Sequence, residues 1–130
     1  MIVVDASAAL EVLLCTPAAA VVEKRLFEPG AALCAPHLID LEVAQVVRRY
    51  ALSGEITPIR GEQALTDFAG FPIARYPHDV LLPRIWQLRE NLTAYDAAYV
   101  ALAETLNMPL LTRDRKLAVS TGHRARIETV

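Results

Sequence analysis

Short apolar runs alternate along the chain with longer segments in which apolar residues recur at helical spacing. That spacing predicts helices over residues 7–14, 18–27, 38–53, 59–69, 79–91, 93–107 and 114–120. The apolar runs predict strands over residues 2–4, 32–35, 73–76, 109–112 and 126–130. Strands separated by helices pair in parallel through right-handed crossovers. The pattern therefore predicts an α/β fold, a three-layer α/β/α arrangement with a central, mostly parallel sheet, in which residues 1–130 form a single domain.

Residues with strong backbone preferences set several of the predicted ends. Ser7 can cap the first helix through its hydroxyl. Gly54 marks the end of the long third helix, and Pro17 and Pro77 stop the elements that precede them.

The composition suits a well-buried globular protein. Hydrophobic residues make up 54% of the 130 residues and charged residues 22%, and no apolar run reaches the roughly 20 residues that cross a bilayer. The first residues lack the basic start of a signal peptide, so a cytoplasmic location is expected. Cys15 and Cys34 lie in apolar sequence and form no paired metal motif, so both are predicted to be reduced core residues.

The formal charge of −2 does not by itself indicate a nucleic-acid-binding protein. Two features modify that interpretation. Arginine, which suits bidentate phosphate contacts, accounts for 11 of the 13 basic residues. A metal-binding cluster of carboxylates would also lower the formal charge without leaving an anionic working surface. We therefore expect nucleic-acid binding in the absence of metal to be weak and sensitive to salt.

Four acids stand where a predicted strand ends or a predicted helix begins, each within apolar sequence. They are Asp5, Glu42, Asp96 and Asp114. In parallel α/β sheets, functional sites gather at the carboxyl ends of the strands. Asp5 and Asp114 each follow a predicted strand, so this topology places both at the same edge.

Each acid also has an ordinary structural explanation when it is considered alone. Asp96 follows Thr93 by three residues, as in a capping box, and Asp114 can cap the short helix after it. The helix dipole favours Glu42 in a first turn by roughly 0.3–1 kcal/mol. Asp5 is the hardest to explain in this way, because a lone carboxylate that ends a buried strand needs partners.

Considered together, the acids favour a metal site. Two unit charges about 4 Å apart interact by roughly 4 kcal/mol near a protein surface, and helix N-termini offset too little of that repulsion. A divalent cation would offset it, and an all-oxygen ligand set selects Mg²⁺ or Mn²⁺ over zinc. Such a site suits phosphodiester hydrolysis, in which metal activates water and polarises the phosphoryl group.

Four segments, in order, resemble the motifs of VapC-type PIN domains. They are residues 2–8 (IVVDASA), 35–43 (APHLIDLEV) followed by Arg48-Arg49, 92–103 (LTAYDAAYVALA) and 110–117 (LLTRDRKL). The resemblance spans nearly the whole chain and implies a PIN-like fold. It also implies an Mg²⁺-dependent endoribonuclease, with Mn²⁺ as a substitute, that is the toxin of a toxin–antitoxin pair.

The resemblance also implies roles for particular residues. The acidic quartet would be Asp5, Glu42, Asp96 and Asp114, with Asp114 the weaker or water-mediated participant. Thr112 and Ser7 would support the carboxylates, although a local cap or turn bond explains both hydroxyls equally well. An RNA substrate cleaved by water attack at phosphorus, a cognate antitoxin that blocks the site and a homodimer are the further implications.

Other residues carry narrower expectations. Arg113 and Arg115 are candidate contacts to RNA phosphates, whereas Lys116 is more simply a solvated charge. A surface or capping role is predicted for Asp40, an exposed face for Arg48 and Arg49, solvent or loop roles for His37, His78 and His123, and a core or dimer position for Trp86. Arg89 either reaches the cleft or pairs near Glu90. The early helices carry more apolar surface than one sheet face requires, which suggests an antitoxin groove formed by Leu10, Val12, Leu13, Leu14, Val21 and Val22.

Two other functions remain open from the sequence. A non-catalytic PIN-like module could bind RNA or protein through the same fold. A receiver-like signalling domain has a similar length and an acidic Mg²⁺ pocket. It would, however, need paired acids after the first strand and an aspartate after a central strand, which this sequence lacks.

Overall fold

Five parallel strands form the centre of the computed structural model, which describes residues 1–130. The strands lie in the order β3-β2-β1-β4-β5, and every neighbouring pair is parallel. Their bounds are β1 (Ile2–Val4), β2 (Leu33–Pro36), β3 (Ile73–Tyr76), β4 (Leu110–Thr112) and β5 (Ile127–Thr129). The predicted α/β fold with a parallel central sheet is confirmed.

Helices connect all the strands. They are α1 (Ala6–Leu13), α2 (Ala19–Leu26), α3 (Ile39–Ser53), α4 (Pro58–Ala69), α5 (Leu82–Gln87), α6 (Ala94–Leu106) and α7 (Arg115–Ala118). The chain moves from β1 outward to β3, then returns to lay β4 on the other side of β1. With right-handed crossovers, this reversal places α1–α4 on one face of the sheet and α5–α7 on the other. The crevice at the carboxyl ends of β1 and β4 is the switch point where such sheets bind ligands.

The core lies along the central strands and α6. All residues of β1, β2 and β4 are buried, as expected for strands covered on both faces. In α6, seven consecutive residues from Ala97 to Ala103 are buried, four of them alanines. Their small side chains allow this helix to lie close to the sheet. The amino end of α6, which carries Asp96, is therefore held at the edge where β1 and β4 end.

Two local predictions about helix ends are wrong. The cap of α1 is Asp5 rather than Ser7, since the Asp5 side chain accepts the Ala8 N–H and the helix starts at Ala6. The helix predicted over residues 79–91 is instead a 3₁₀ turn at Asp79–Leu81 followed by the short α5. Pro83 lacks the N–H that a continuous helix would bond to residue 79, so the helix starts anew with the proline in its first turn.

Cys15, assigned to the core, and Trp86, given either a core or a dimer position, both lie outside the core. Cys34 is buried as predicted, but Cys15 is exposed. It follows the carboxyl end of α1 in the left-handed conformation, with φ of 52°, where the chain turns away from the core. The Trp86 side chain is 67% exposed, so the core alternative for this residue is wrong. None of the helices is long and apolar enough to cross a membrane.

Candidate functional site

Asp5 lies directly after β1 and is only 7% exposed. One carboxylate oxygen, Oδ1, accepts the Ser7 hydroxyl at 2.6 Å and the Ala8 N–H at 3.1 Å. The other, Oδ2, accepts the Thr112 hydroxyl. Burial raises the pKa of Asp5, these hydrogen bonds oppose that rise, and the charge of Asp114 adds to it. The carboxylate is therefore partly desolvated and held in one orientation.

Two hydroxyls join the end of β1 to the end of β4. Thr112 is fully buried, donates to Asp5 and accepts the Asp114 N–H at 3.0 Å. Ser7 donates to Asp5 and accepts the Arg113 N–H at 3.0 Å. Thr112 therefore makes a local contact to Asp114 and a long-range contact to Asp5. Ser7 makes a local contact to Asp5 and a long-range contact to Arg113.

Glu42 lies in the first turn of α3 and is half-buried. Its Oε1 accepts the hydroxyl of Tyr99, from α6, at 2.6 Å. Burial raises the pKa of Glu42, the Tyr99 hydrogen bond opposes the rise, and the charges of Asp5 and Asp96 add to it. Burial and the Glu42 charge raise the pKa of Tyr99 far above its usual range, so the phenol stays protonated and donates.

Asp96 occupies the first turn of α6, where Thr93 caps the helix by accepting the Asp96 N–H at 3.1 Å. The Asp96 carboxylate makes no return bond to Thr93 and accepts no hydrogen bond within the chain, so the second half of a capping box is missing. Burial raises its pKa, and the charges of Asp114 and Asp5 raise it further. The capping explanation thus accounts for the Asp96 backbone but not for its carboxylate.

Asp114 has the structural role that its position predicts. It caps α7, with Oδ1 accepting the N–H groups of Lys116 at 2.9 Å and Leu117 at 3.4 Å. Its charge nevertheless raises the pKa of both Asp5 and Asp96. Asp114 can therefore cap α7 and also belong to the acidic cluster.

The topology predicted that Asp5 and Asp114 lie at the same sheet edge. In the structure, burial raises the pKa of Asp5, Glu42 and Asp96, and the charge of at least one other acid of the four adds to each rise. Their oxygen-only chemistry and shared charge fit a hard divalent cation. No group of three acidic, histidine or cysteine side chains stands in a position to hold one metal ion. The carboxylates of Asp5, Glu42 and Asp114 instead bind hydroxyls and amides of the protein. The oxygen ligands of these acids fit a divalent cation. In their observed positions, however, three of the four carboxylates accept hydrogen bonds from protein groups.

An apolar groove of about 560 Å³ adjoins the acids, between α1 and α3. We call it the α1–α3 groove. Its walls include Leu10, Leu38 and the exposed Leu41 and Tyr95, and Ser7 and Glu42 also line it. The sequence placed such a groove on the first two helices. That placement is wrong in part, because Leu13 and Val22 are buried in the core and α3 supplies most of the lining.

The remaining charged candidates lie around the acids or away from them. Arg113 and Arg115 are exposed, and Arg113 Nε lies 3.7 Å from a Glu11 carboxylate oxygen. Asp40 is a surface acid as predicted, paired with Arg75 at 2.8 Å. Arg89 takes neither of its two expected positions, since its guanidinium lies over the Trp86 ring, 4.4 Å from the centroid.

Further sequence expectations concern the paired arginines and the histidines. Arg48 and Arg49 are exposed as predicted. His37 and His78, 41 positions apart in the sequence, come together with ring centroids 6.2 Å apart. They belong to no group of three that could hold a metal ion.

Sequence reasoning missed Tyr99 as a residue of the site. Its partner Glu42 lies 57 positions away, so no local spacing showed the hydrogen bond. The available signal was its position three residues after Asp96, which places both side chains on one face of α6.

A family model described as PIN domain matches residues 2–120. The protein named Ribonuclease VapC12 from Mycobacterium tuberculosis is 44% identical over 130 residues, which is 100% of this chain and 99% of that protein. The protein named Ribonuclease VapC1 from the same species is 43% identical over 129 residues, covering 98% of this chain and 96% of the other. These matches do not support the receiver-domain alternative.

Solved structures share the fold at lower sequence identity. The crystal structure of PAE2754 from Pyrobaculum aerophilum has a TM-score of 0.71 at 24% identity and covers 97% of this chain and 89% of its own. VapBC2 from Rickettsia felis, bound to a DNA fragment from its promoter, has a TM-score of 0.70 at 12% identity. The match covers 99% of this chain and 98% of the other. At these identities the likeness concerns the fold alone.

Proposed function

The chain belongs to the PIN-domain family, and from this premise we propose that it is a VapC-type endoribonuclease, the toxin of a toxin–antitoxin pair. One observation carries the proposal: the acids of four separate motifs lie together at the carboxyl edge of the sheet. Asp5, at the centre, is fixed by hydroxyls from both sides of the switch point. Full-length relatives named as ribonucleases support RNA as the substrate.

The acids Asp5, Glu42, Asp96 and Asp114 would hold Mg²⁺, with Mn²⁺ as a substitute. Three of the four have a pKa raised mainly by burial and further by the charges of their neighbours. A cation would relieve that repulsion, and this supports a metal site among these acids. When bound, a divalent cation activates water and neutralises charge on the phosphate that is attacked.

Residues of the chain itself would orient the acids and the RNA. Thr112 and Ser7 fix the orientation of the Asp5 carboxylate, since they donate to its two different oxygens. Arg113 and Arg115 flank Asp114 and are exposed, so they are available to contact RNA phosphates. The carboxylate of Asp96 has no donor within the chain and is the one most free to bind an external group.

An antitoxin would bind in the α1–α3 groove. The groove is mainly apolar, and Ser7 and the acid Glu42 are among the residues that line it. An amphipathic helix could place its apolar face there and bring a cationic side chain to the acids. A toxin–antitoxin complex from Klebsiella pneumoniae, which shares the fold with a TM-score of 0.61, supports a partner of this class.

A homodimer would form through the surface around Trp86. Leu82, Ile85, Trp86 and Leu92 line one shallow depression, and Leu82 and Trp86 are more than half exposed. Exposed aromatic and aliphatic side chains in one patch are typical of an interaction surface.

The test is cleavage of mixed RNA substrates by the purified chain with Mg²⁺, with Mn²⁺ and with chelator. We expect cleavage that requires the cation and is lost in Asp5→Asn, while Asp67→Asn, a matched change at an exposed residue of α4, leaves it intact. Metal-independent cleavage, or equal activity in Asp5→Asn, would contradict the proposal. Cation binding without cleavage of any RNA would favour the non-catalytic binding module.

A further inference from the structure

A buried tyrosine connects the two helices that carry Glu42 and Asp96. Tyr99 is 2% exposed, and its hydroxyl donates to Glu42 Oε1 at 2.6 Å. The Tyr99 hydroxyl therefore joins α6 to α3, two helices that each contribute an acid to the site.

The four carboxylates differ in how firmly the protein holds them. Asp5 accepts three hydrogen bonds, and Asp114 accepts two from backbone amides. Glu42 has a longer and more flexible side chain, and the Tyr99 hydroxyl is the one donor that it accepts within the chain. Ordering a glutamate side chain costs up to about 2 kcal/mol of conformational entropy. Without Tyr99, nothing in the chain would fix the orientation of this carboxylate.

We propose that Tyr99 is a positioning residue that holds the Glu42 carboxylate for cation binding. The inference rests on the proposed function, because it assigns Glu42 to the cation site. The bond leaves Glu42 Oε2 without a partner in the chain, so this oxygen is available to an ion. Tyr99 itself need not touch the cation or the RNA.

The variant Tyr99→Phe removes the hydroxyl and keeps the ring that fills the core. Loss of a hydrogen bond that orients a metal ligand typically weakens metal affinity or activity about 10–100-fold. We expect a loss of that size in Mn²⁺ affinity, measured by calorimetry on the purified protein without RNA. Cleavage should fall at low Mn²⁺ and recover as Mn²⁺ is raised, a recovery that a merely structural defect would not show.

Tyr50→Phe is the matched control, because Tyr50 lies on α3, the helix that carries Glu42, and its hydroxyl makes no hydrogen bond within the chain. A double-mutant cycle with Glu42→Gln tests the route of the effect: Tyr99→Phe should change Mn²⁺ affinity little once Glu42 has lost its charge. Wild-type Mn²⁺ affinity in Tyr99→Phe, combined with a loss in Glu42→Gln, would overturn the positioning role and leave the proposed function standing. Wild-type affinity in both Glu42→Gln and Asp5→Asn would instead contradict the proposed function.

A second pair of variants tests the contact if Tyr99→Phe does not fold. Glu42→Gln retains an acceptor for the buried hydroxyl, whereas Glu42→Ala leaves it unpaired. Leaving such a group unsatisfied costs enough to raise the unfolding equilibrium constant about tenfold. Glu62→Gln and Glu62→Ala, at an exposed position of α4, are the control pair. Equal stability of Glu42→Gln and Glu42→Ala would show that the contact is not maintained in solution and would overturn the proposal.

Discussion

Asp5 shows what single residues contribute to the site. A carboxylate that is 7% exposed keeps its place because two hydroxyls and one amide donate to it. The sequence predicted the acids and both hydroxyls, since each stands beside a strand end or a helix start. It did not show Tyr99, because a contact between positions 42 and 99 depends on how α3 and α6 pack.

The pH dependence of stability should reveal the cost of burying Asp5. Its pKa in the folded protein is raised above the unfolded value near 3.8, mainly by burial. The native state therefore holds the proton more tightly, and this stabilising contribution is lost as pH rises through the folded pKa. We expect metal-free Asp5→Asn to be more stable than the wild type at pH 7, with a smaller difference at pH 4.

Urea unfolding at a series of pH values measures this difference, with Asp67→Asn as the control at an exposed acid. Added Mn²⁺ should reduce the stability difference between Asp5→Asn and the wild type at pH 7, because it stabilises only the protein that binds it, the wild type. A metal-free Asp5→Asn variant that is less stable than the wild type at pH 7 would show that the hydrogen bonds to Asp5 outweigh its burial.

At the scale of secondary structure, the starts of four helices set the positions of the four acids. Asp5 and Asp114 cap α1 and α7, and Glu42 and Asp96 lie in the first turns of α3 and α6. Elements with clear periodicity were predicted to within one or two residues, and the strand at 73–76 coincides with β3. The segment at 79–91 was predicted as one helix because its apolar spacing is helical. Pro83 instead divides it into a 3₁₀ turn and the short α5.

Loss of the cap of α6 should affect both stability and the site. Thr93 and Thr57 each accept an N–H at 3.1 Å, from Asp96 and Arg60 respectively. Replacing either with alanine should cost about 1 kcal/mol of unfolding free energy. Only Thr93→Ala should also weaken Mn²⁺ binding, because α6 carries Asp96, whereas α4 carries none of the four acids.

Paired urea and calorimetric titrations of the two variants test this expectation. An equal loss of Mn²⁺ affinity in Thr57→Ala and Thr93→Ala would mean that general destabilisation is responsible. Unchanged Mn²⁺ affinity in both variants would show that the amino end of α6 does not contribute to Mn²⁺ binding.

The whole molecule places the site through one reversal of chain direction. The strand order brings the ends of β1 and β4 side by side, although Asp5 and Asp114 are 109 positions apart in the sequence. Alternating strands and helices predicted this parallel arrangement. The chain-wide pattern could not predict which apolar residues stay exposed. It assigned Leu13 and Val22 to a groove, although they belong to the core.

The exposed surface around Trp86 predicts a dimer that a single charge should disrupt. Trp86→Glu would place a carboxylate in the centre of the apolar patch, where its desolvation opposes association. We expect the wild type to sediment as a dimer and Trp86→Glu as a monomer at the same concentration. Val119→Glu, at a residue 77% exposed outside this patch, is the control. A wild-type monomer, or a dimer that persists in Trp86→Glu, would contradict this assignment.

In the proposed function, the acidic cluster would hold a divalent cation that directs water to the phosphorus of the RNA. The most direct measurement is mass spectrometry of the products formed in ¹⁸O-labelled water with Mg²⁺. We expect each cut to give one end with a terminal phosphate that carries a single ¹⁸O atom and one end with an unlabelled hydroxyl, with no cyclic phosphate and no products from Asp5→Asn. Products that end in 2′,3′-cyclic phosphate without the label would show that the RNA hydroxyl is the nucleophile and would contradict the account.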